Sequence, residues 1–266
     1  MLPTLFVPHG SPSFVAEPSI AAARLANTAT RLPQRPRAII VVSPHWNTAV
    51  PVIGTAKWPK TIHDFRGFPE HLYQLHYRAP GAPALANAIA DRLAAAGFPV
   101  QTDDRGLDHG AWIPLKLMFP EEDIPVVPIS IQSQLGTEHH YRLGQAIAPL
   151  LDDDLLMLGS GNLTHNLYDV QTAKVSHGDT PPYVRAFADW TWQRLEAGDT
   201  AGLLDYRRRA PGADRAHPTD DHLLPLFVAL GAAGANARPE RLHSGVDYHV
   251  LAMDAYAFHP ATGERQ

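Results

Sequence analysis

Apolar residues in this chain gather into short continuous runs, with longer stretches of helical spacing between them. Residues 2–7, 37–43, 125–131 and 155–159 are runs dominated by Val, Ile, Leu and Phe. Runs this short and this uniformly apolar predict buried strands of a parallel sheet. Residues 49–55 and 246–255 predict two further strands. Residues 20–32, 82–96, 108–118, 138–151, 182–197 and 219–230 show helical patterning. Gly97 supplies a stop for the second of these, and Thr219 a cap for the last, with Pro225 near its first turn. Residues 57–79 mix Gly, Pro and aromatic side chains and predict an irregular loop over a site. Strands alternating with helices predict an α/β fold: one domain over residues 1–266, with a central, mostly parallel or mixed sheet flanked by helices. Ligand sites in such sheets gather at the carboxyl ends of the strands.

The predicted strands ending near Val7, Ser43 and Gly159 run into loops that carry His9, His45 and His165. In a parallel sheet those loops share one edge, so three imidazoles converge there, as a site for Zn, Fe, Ni or Cu requires. Each alone reads as an ordinary hydrogen-bonded loop histidine; the repetition is what points to a metal. His222 is a fourth candidate, placed in the first turn of the predicted 219–230 helix. His217, in a proline-stiffened loop, is its alternative or a supporting group. Asp220 and Asp221 read as carboxylates favoured at a helix N-terminus. His109 follows Asp108, and His63 and Asp64 lie in the irregular loop. His71, His76, His139, His140, His243, His249 and His259 read as surface or packing residues.

Composition removes other chemistries. The chain has 266 residues and no Cys, so thiolate ligands, disulfides and a Cys nucleophile are excluded. A formal net charge of −5 gives no electrostatic reason to expect nucleic acid or an anionic membrane. No apolar run approaches the roughly 20 residues that span a bilayer, and the N-terminal segment lacks the pattern of a secretion signal, so the expected location is cytoplasmic. A homo-oligomer is compatible with all of this. There is no GxSxG elbow, Walker A loop or HExxH helix. Gly159-Ser160-Gly161 is a short, unspecific match to a phosphate-binding turn.

Val7-Pro8-His9-Gly10-Ser11-Pro12, Ser43-Pro44-His45-Trp46, Ile62-His63-Asp64-Phe65 through Pro69, Asp108-His109-Gly110, Ser160-Gly161-Asn162 through Leu167, His177-Gly178-Asp179 and Pro218-Thr219 through His222 occur in that order. The ordered set resembles the DOPA-dioxygenase branch of the class III (LigB-type) extradiol ring-cleavage dioxygenases, over nearly the whole chain. The resemblance implies a LigB-like fold and an oxidoreductase that opens a catechol with O₂ at non-haem Fe(II). It implies His9, His45 and His222 as metal ligands, and His165 as general base and then acid. It leaves open whether His165 also ligates the metal. It implies His109 as a hydrogen-bonding catalytic group, and His63, Asp64 and His177 as substrate contacts. Three neutral imidazoles also suit Zn(II). The rival readings are a zinc-dependent hydrolase and a non-enzymatic binding module on the same fold.

Overall fold

A computed structural model describes residues 1–17, 19–176 and 179–261. Its centre is an eight-stranded sheet in the order β4-β3-β5-β2-β6-β1-β10-β7. These strands are β1 (Thr4–Pro8), β2 (Ala38–Asn47), β3 (Val52–Gly54), β4 (Gln101–Asp103), β5 (Val126–Ile131), β6 (Leu155–Gly161), β7 (Arg238–His243) and β10 (Ala255–His259). The middle four, β5-β2-β6-β1, are mutually parallel, and they are the four apolar runs that predict buried strands. Every residue of β1, β5 and β6 is buried, as strands covered on both faces must be. β3 is antiparallel to β5, and β10 antiparallel to β1, so the sheet is mixed.

Helices cover the faces. Leu224–Ala233 (LPLFVALGAA) is apolar on nearly every side and buried against the sheet and the helix Gly136–Ile147. Ile20–Thr30, Pro83–Ala95, His109–Met118 and Pro182–Glu196 match the predicted segments to within a few residues. Among the described residues, no helix is long and apolar enough to cross a membrane.

Three predictions change. The strand expected over 49–55 contracts to Val52–Gly54. The strand expected over 246–255 breaks into a two-stranded ladder, β8 (Val246–Asp247) with β9 (Leu251–Ala252), before β10 begins. The break falls at Tyr248 and His249, both with left-handed backbone (φ 50° and 64°), which cannot continue a strand. The helix expected from Thr219 starts instead at Leu224, because the backbone N–H groups of Leu223 and Leu224 both turn back to Asp220 O.

Candidate metal centre

His9 follows β1, His45 lies near the end of β2, and His165 follows β6, so adjacent parallel strands deliver all three to one edge. Segment 160–166 ties the edge together. Gly161 O accepts from His9 N, Asn162 Oδ1 from Gly10 N, and Asn162 N donates to His222 O. His165 N donates to Ala216 O. The ring of His9 lies 5.0 Å from that of His45 and 5.2 Å from that of His222, and the His45 and His222 rings are 5.0 Å apart. His9, His45 and His109 bring a ligand atom each to within 4.8 Å of one another; His165, Asp221 and His222 do the same.

The protonation pattern follows from a chain of contacts that begins at a proline. Pro114 sits inside the helix His109–Met118 and has no N–H to give the carbonyl four residues earlier. That carbonyl, Gly110 O, accepts the Ser160 hydroxyl instead. Having spent its proton there, Ser160 Oγ can only accept from His9 Nδ1, 3.1 Å away. His9 therefore carries its proton on Nδ1 and a lone pair on Nε2. That Nε2 faces His45 Nε2 at 3.2 Å. His45 Nδ1 lies 3.7 Å from the Asp64 carboxylate.

Burial and the surrounding imidazoles push the His9 and His222 pKa values well below the ordinary histidine range. Burial and then His109 lower His45 to about 3. All three rings are neutral at neutral pH. His222 Nδ1 bonds to the Asp221 carboxylate, and its Nε2 is buried with no partner among the described residues. Converging neutral lone pairs, one of them orphaned, are a donor set that a cation fits.

The sequence reading treats Asp220 and Asp221 as helix-terminal charges, and the structure corrects this. His222 precedes the helix, Asp221 holds His222, and Asp220 accepts from the Tyr206 hydroxyl at 2.8 Å. The sequence signal for Asp221 was its adjacency to a candidate ligand. His217 is fully buried, and its Nε2 is bonded to Leu163 O at 2.8 Å, outside the cleft lining. Gly159-Ser160-Gly161 serves close packing and not phosphate: a Cβ on Gly161 would come within 2.2 Å of His222 O. Likewise a Cβ on Gly110 would meet His45 Cδ2 at 2.8 Å.

Asp108 caps the helix that starts with His109, accepting from Ala111 N at 3.2 Å. Asp64 Oδ1 accepts from His109 N at 2.9 Å, and His109 Nδ1 sits 3.0 Å from the same oxygen, off the line of a good hydrogen bond. Burial raises the Asp64 pKa, but the His109 bonds and nearby imidazoles outweigh it and hold it at about 2. Asp64 thus stands behind two histidines, outside the cleft lining. His63 is also turned from the cleft: its Nε2 contacts Leu75 O at 2.8 Å, and its ring packs among Phe65, Tyr73, His76 and Trp112. His177 lies outside the described residues.

His165 stacks on His222, with centroids 3.4 Å apart and planes 8° from parallel. In-plane lone pairs of parallel rings run side by side and do not meet at one point. Burial lowers the His165 pKa to about 4. The five histidines 9, 45, 109, 165 and 222 line one cleft of about 880 Å³, with Phe65, Phe68, Leu167, Val170 and Leu251 as its apolar walls.

The geometry agrees with what the chain resembles. Residues 5–259 match the family described as the catalytic LigB subunit of aromatic ring-opening dioxygenase. The 4,5-DOPA dioxygenase extradiol of Beta vulgaris is 43% identical over 259 residues, covering 96% of each chain. The protein of the same name from Escherichia coli K12 is 39% identical over 239 residues, 87% of this chain and 85% of that one. The crystal structure of an uncharacterized Escherichia coli K12 protein superposes with a TM-score of 0.81 at 31% identity, covering 97% of this chain and 99% of the other. With a family match across almost its whole length and relatives this similar, the chain belongs to the LigB family of aromatic ring-opening dioxygenases.

Proposed function

We propose that this chain is a cytoplasmic extradiol dioxygenase, one catalytic domain over residues 1–266, that opens a DOPA-like catechol with O₂. The observation that carries the reading is the set of converging neutral imidazoles, with the outer nitrogens of His9 and His222 bonded to Ser160 and Asp221 and that of His45 turned toward Asp64. His9, His45 and His222 are the proposed ligands. Fe(II) held there would acidify a chelated catechol and pass electrons to O₂, whereas Zn(II) on the same nitrogens could not change oxidation state.

The rest is work for the chain's own groups. Burial keeps His165 neutral near pH 7, so its imidazole lone pair is available to accept a phenolic proton and return it. Stacking on His222 keeps it beside the ligands and off their convergence point. His109 has Nδ1 against Asp64, which leaves Nε2 to hydrogen-bond an oxygen of the bound reactants. Phe65, itself edge-on to His109 at 5.7 Å, and Leu251 shield the reacting ring from water.

The test is anaerobic loading of the metal-free protein with Fe(II) or Zn(II), addition of DOPA, and admission of O₂. O₂ uptake with a yellow ring-opened product, seen with Fe(II) and not with Zn(II), is the expected result. Ester or amide hydrolysis with Zn(II) and no O₂ uptake would replace this reading by the hydrolase. Absence of both across a panel of catechols and esters would replace it by a binding module.

A further inference from the structure

A bare catechol leaves most of an 880 Å³ cleft empty. Clefts of about 300–1,000 Å³ take drug-sized ligands, so this one has room for a ring with a substituent. The charge on its walls indicates what kind. Of the described lining residues, Arg66 is the only Arg or Lys. It makes no hydrogen bond or ion pair with any described residue. The neighbouring arginines outside the lining are engaged: Arg105 with Asp108, Arg207 with Asp220, Arg215 with Asp169.

The carboxylates in the lining are also engaged. Asp221 holds His222, and Glu17 Oε2 lies 3.3 Å from the Tyr248 hydroxyl, which also contacts Ser11 Oγ at 3.1 Å. Burial keeps His9, His45, His165 and His222 neutral, so among the described lining residues Arg66 is the charged side chain with no engaged partner.

The residues that flank it are anchored. Phe65 is buried, with its ring 5.5 Å from that of Phe68 and 5.7 Å from that of His109. Asp64, two residues back, holds His109. The segment 64–68 thus runs from a carboxylate behind the histidines, through an aromatic wall, to Arg66, an exposed arginine at the mouth of the cleft.

Resting on the dioxygenase reading for the identity of the ring, we propose that Arg66 reads a carboxylate on the substrate's side chain. Among DOPA-like catechols, Arg66 then discriminates: it favours those whose side chain carries a carboxylate, such as dihydroxyphenylpropionate, over neutral or purely cationic ones. A guanidinium meets a carboxylate through paired N–H donors, so orientation of the ring is set along with affinity.

The test compares dihydroxyphenylpropionate with methylcatechol on the Fe(II)-loaded enzyme and on Arg66→Gln and Arg66→Lys. In R66Q the preference for the acidic catechol, as a ratio of kcat/KM values, should fall about three- to tenfold, the range for a solvent-accessible charge-assisted pair. The loss should lie in KM for the acid, and R66K should recover part of it. An unchanged ratio in R66Q overturns the proposal. Calorimetric binding of the same two compounds needs no turnover and separates the two claims. A protein that opens neither catechol, yet prefers the acid and loses that preference in R66Q, keeps the subsite and loses the dioxygenase.

Discussion

Replacing Ser160 by Ala removes one oxygen from the floor of the site and tests the protonation pattern directly. Ser160 is fully buried, so water cannot take its place. Two groups lose their partner: His9 Nδ1–H its acceptor, and Gly110 O its donor. Stranding a buried polar group costs about 1–3 kcal/mol, and the variant no longer has a hydroxyl to desolvate, so the net loss is about 2–4 kcal/mol. At roughly 2–4 °C per kcal/mol for a chain of this size, the Tm of the metal-free protein should fall by about 5–15 °C.

The metal readout is more specific. Nothing then holds the His9 proton on Nδ1, and the form with the proton on Nε2 cannot ligate. Loss of such an outer partner typically weakens metal affinity about 10–100-fold. Anaerobic competition with a chelator gives the Kd, and calorimetry gives the Tm. Pro114→Ala supplies a complement: a new N–H competes for Gly110 O, freeing the Ser160 proton to turn toward His9. Its metal affinity should drop with little loss of stability. A Kd for S160A within about twofold of the parent refutes the protonation argument, whatever the Tm does.

His165→Ala should keep metal affinity close to that of the parent and lower kcat by about 10²–10⁴-fold, the usual range for a lost acid–base group; normal turnover, followed by O₂ uptake, would remove His165 from that role. Burial lowers His45 to about 3, His165 to about 4 and His217 to about 3. On acidification below the ordinary value of 6.5, the unfolded chain takes up protons at these sites that the folded chain refuses. Stability of the metal-free protein should therefore fall steadily from about pH 6.5 to about pH 3; a flat urea-midpoint profile over that window would contradict the neutral cluster.

The parallel core was legible because β1, β2, β5 and β6 are apolar on both faces, and the loops that hold His9, His45 and His165 follow directly from that pattern. The edge strands were not. β4 is three exposed residues (QTD), and β7 (RPERLH) is mostly charged and polar, so neither carries an apolar signature; they form by pairing with neighbours. The site was legible in its ligand candidates and not in its supports. The Thr219 signal suggested a cap, but the turn at Asp220 delays the helix and leaves His222 in a loop, where Asp221 can reach its ring. His63 faces away from the cleft because aromatic packing with Tyr73 and Trp112 decides its direction, and sequence spacing in an irregular loop does not encode that. Ser160 and Arg66 carry no local pattern; contacts over 50 residues or more away in sequence define the one, and the emptiness around its charge the other.

The close approach at Gly110 and Gly161 divides the cleft into parts that can and cannot be varied. Main chain presses on His45 and His222 from below with no space for a methyl group, so libraries that diversify those glycines should return mostly inactive, metal-poor proteins. The rim is different: it is made of side chains from four separate segments, 11–17, 65–68, the helix start at 167–171, and 248–251. Tyr248 joins the first and last of these through Ser11 and Glu17, so those two vary together. Descendants of this scaffold that accept new rings should therefore differ at the rim while keeping the same five histidines beneath it.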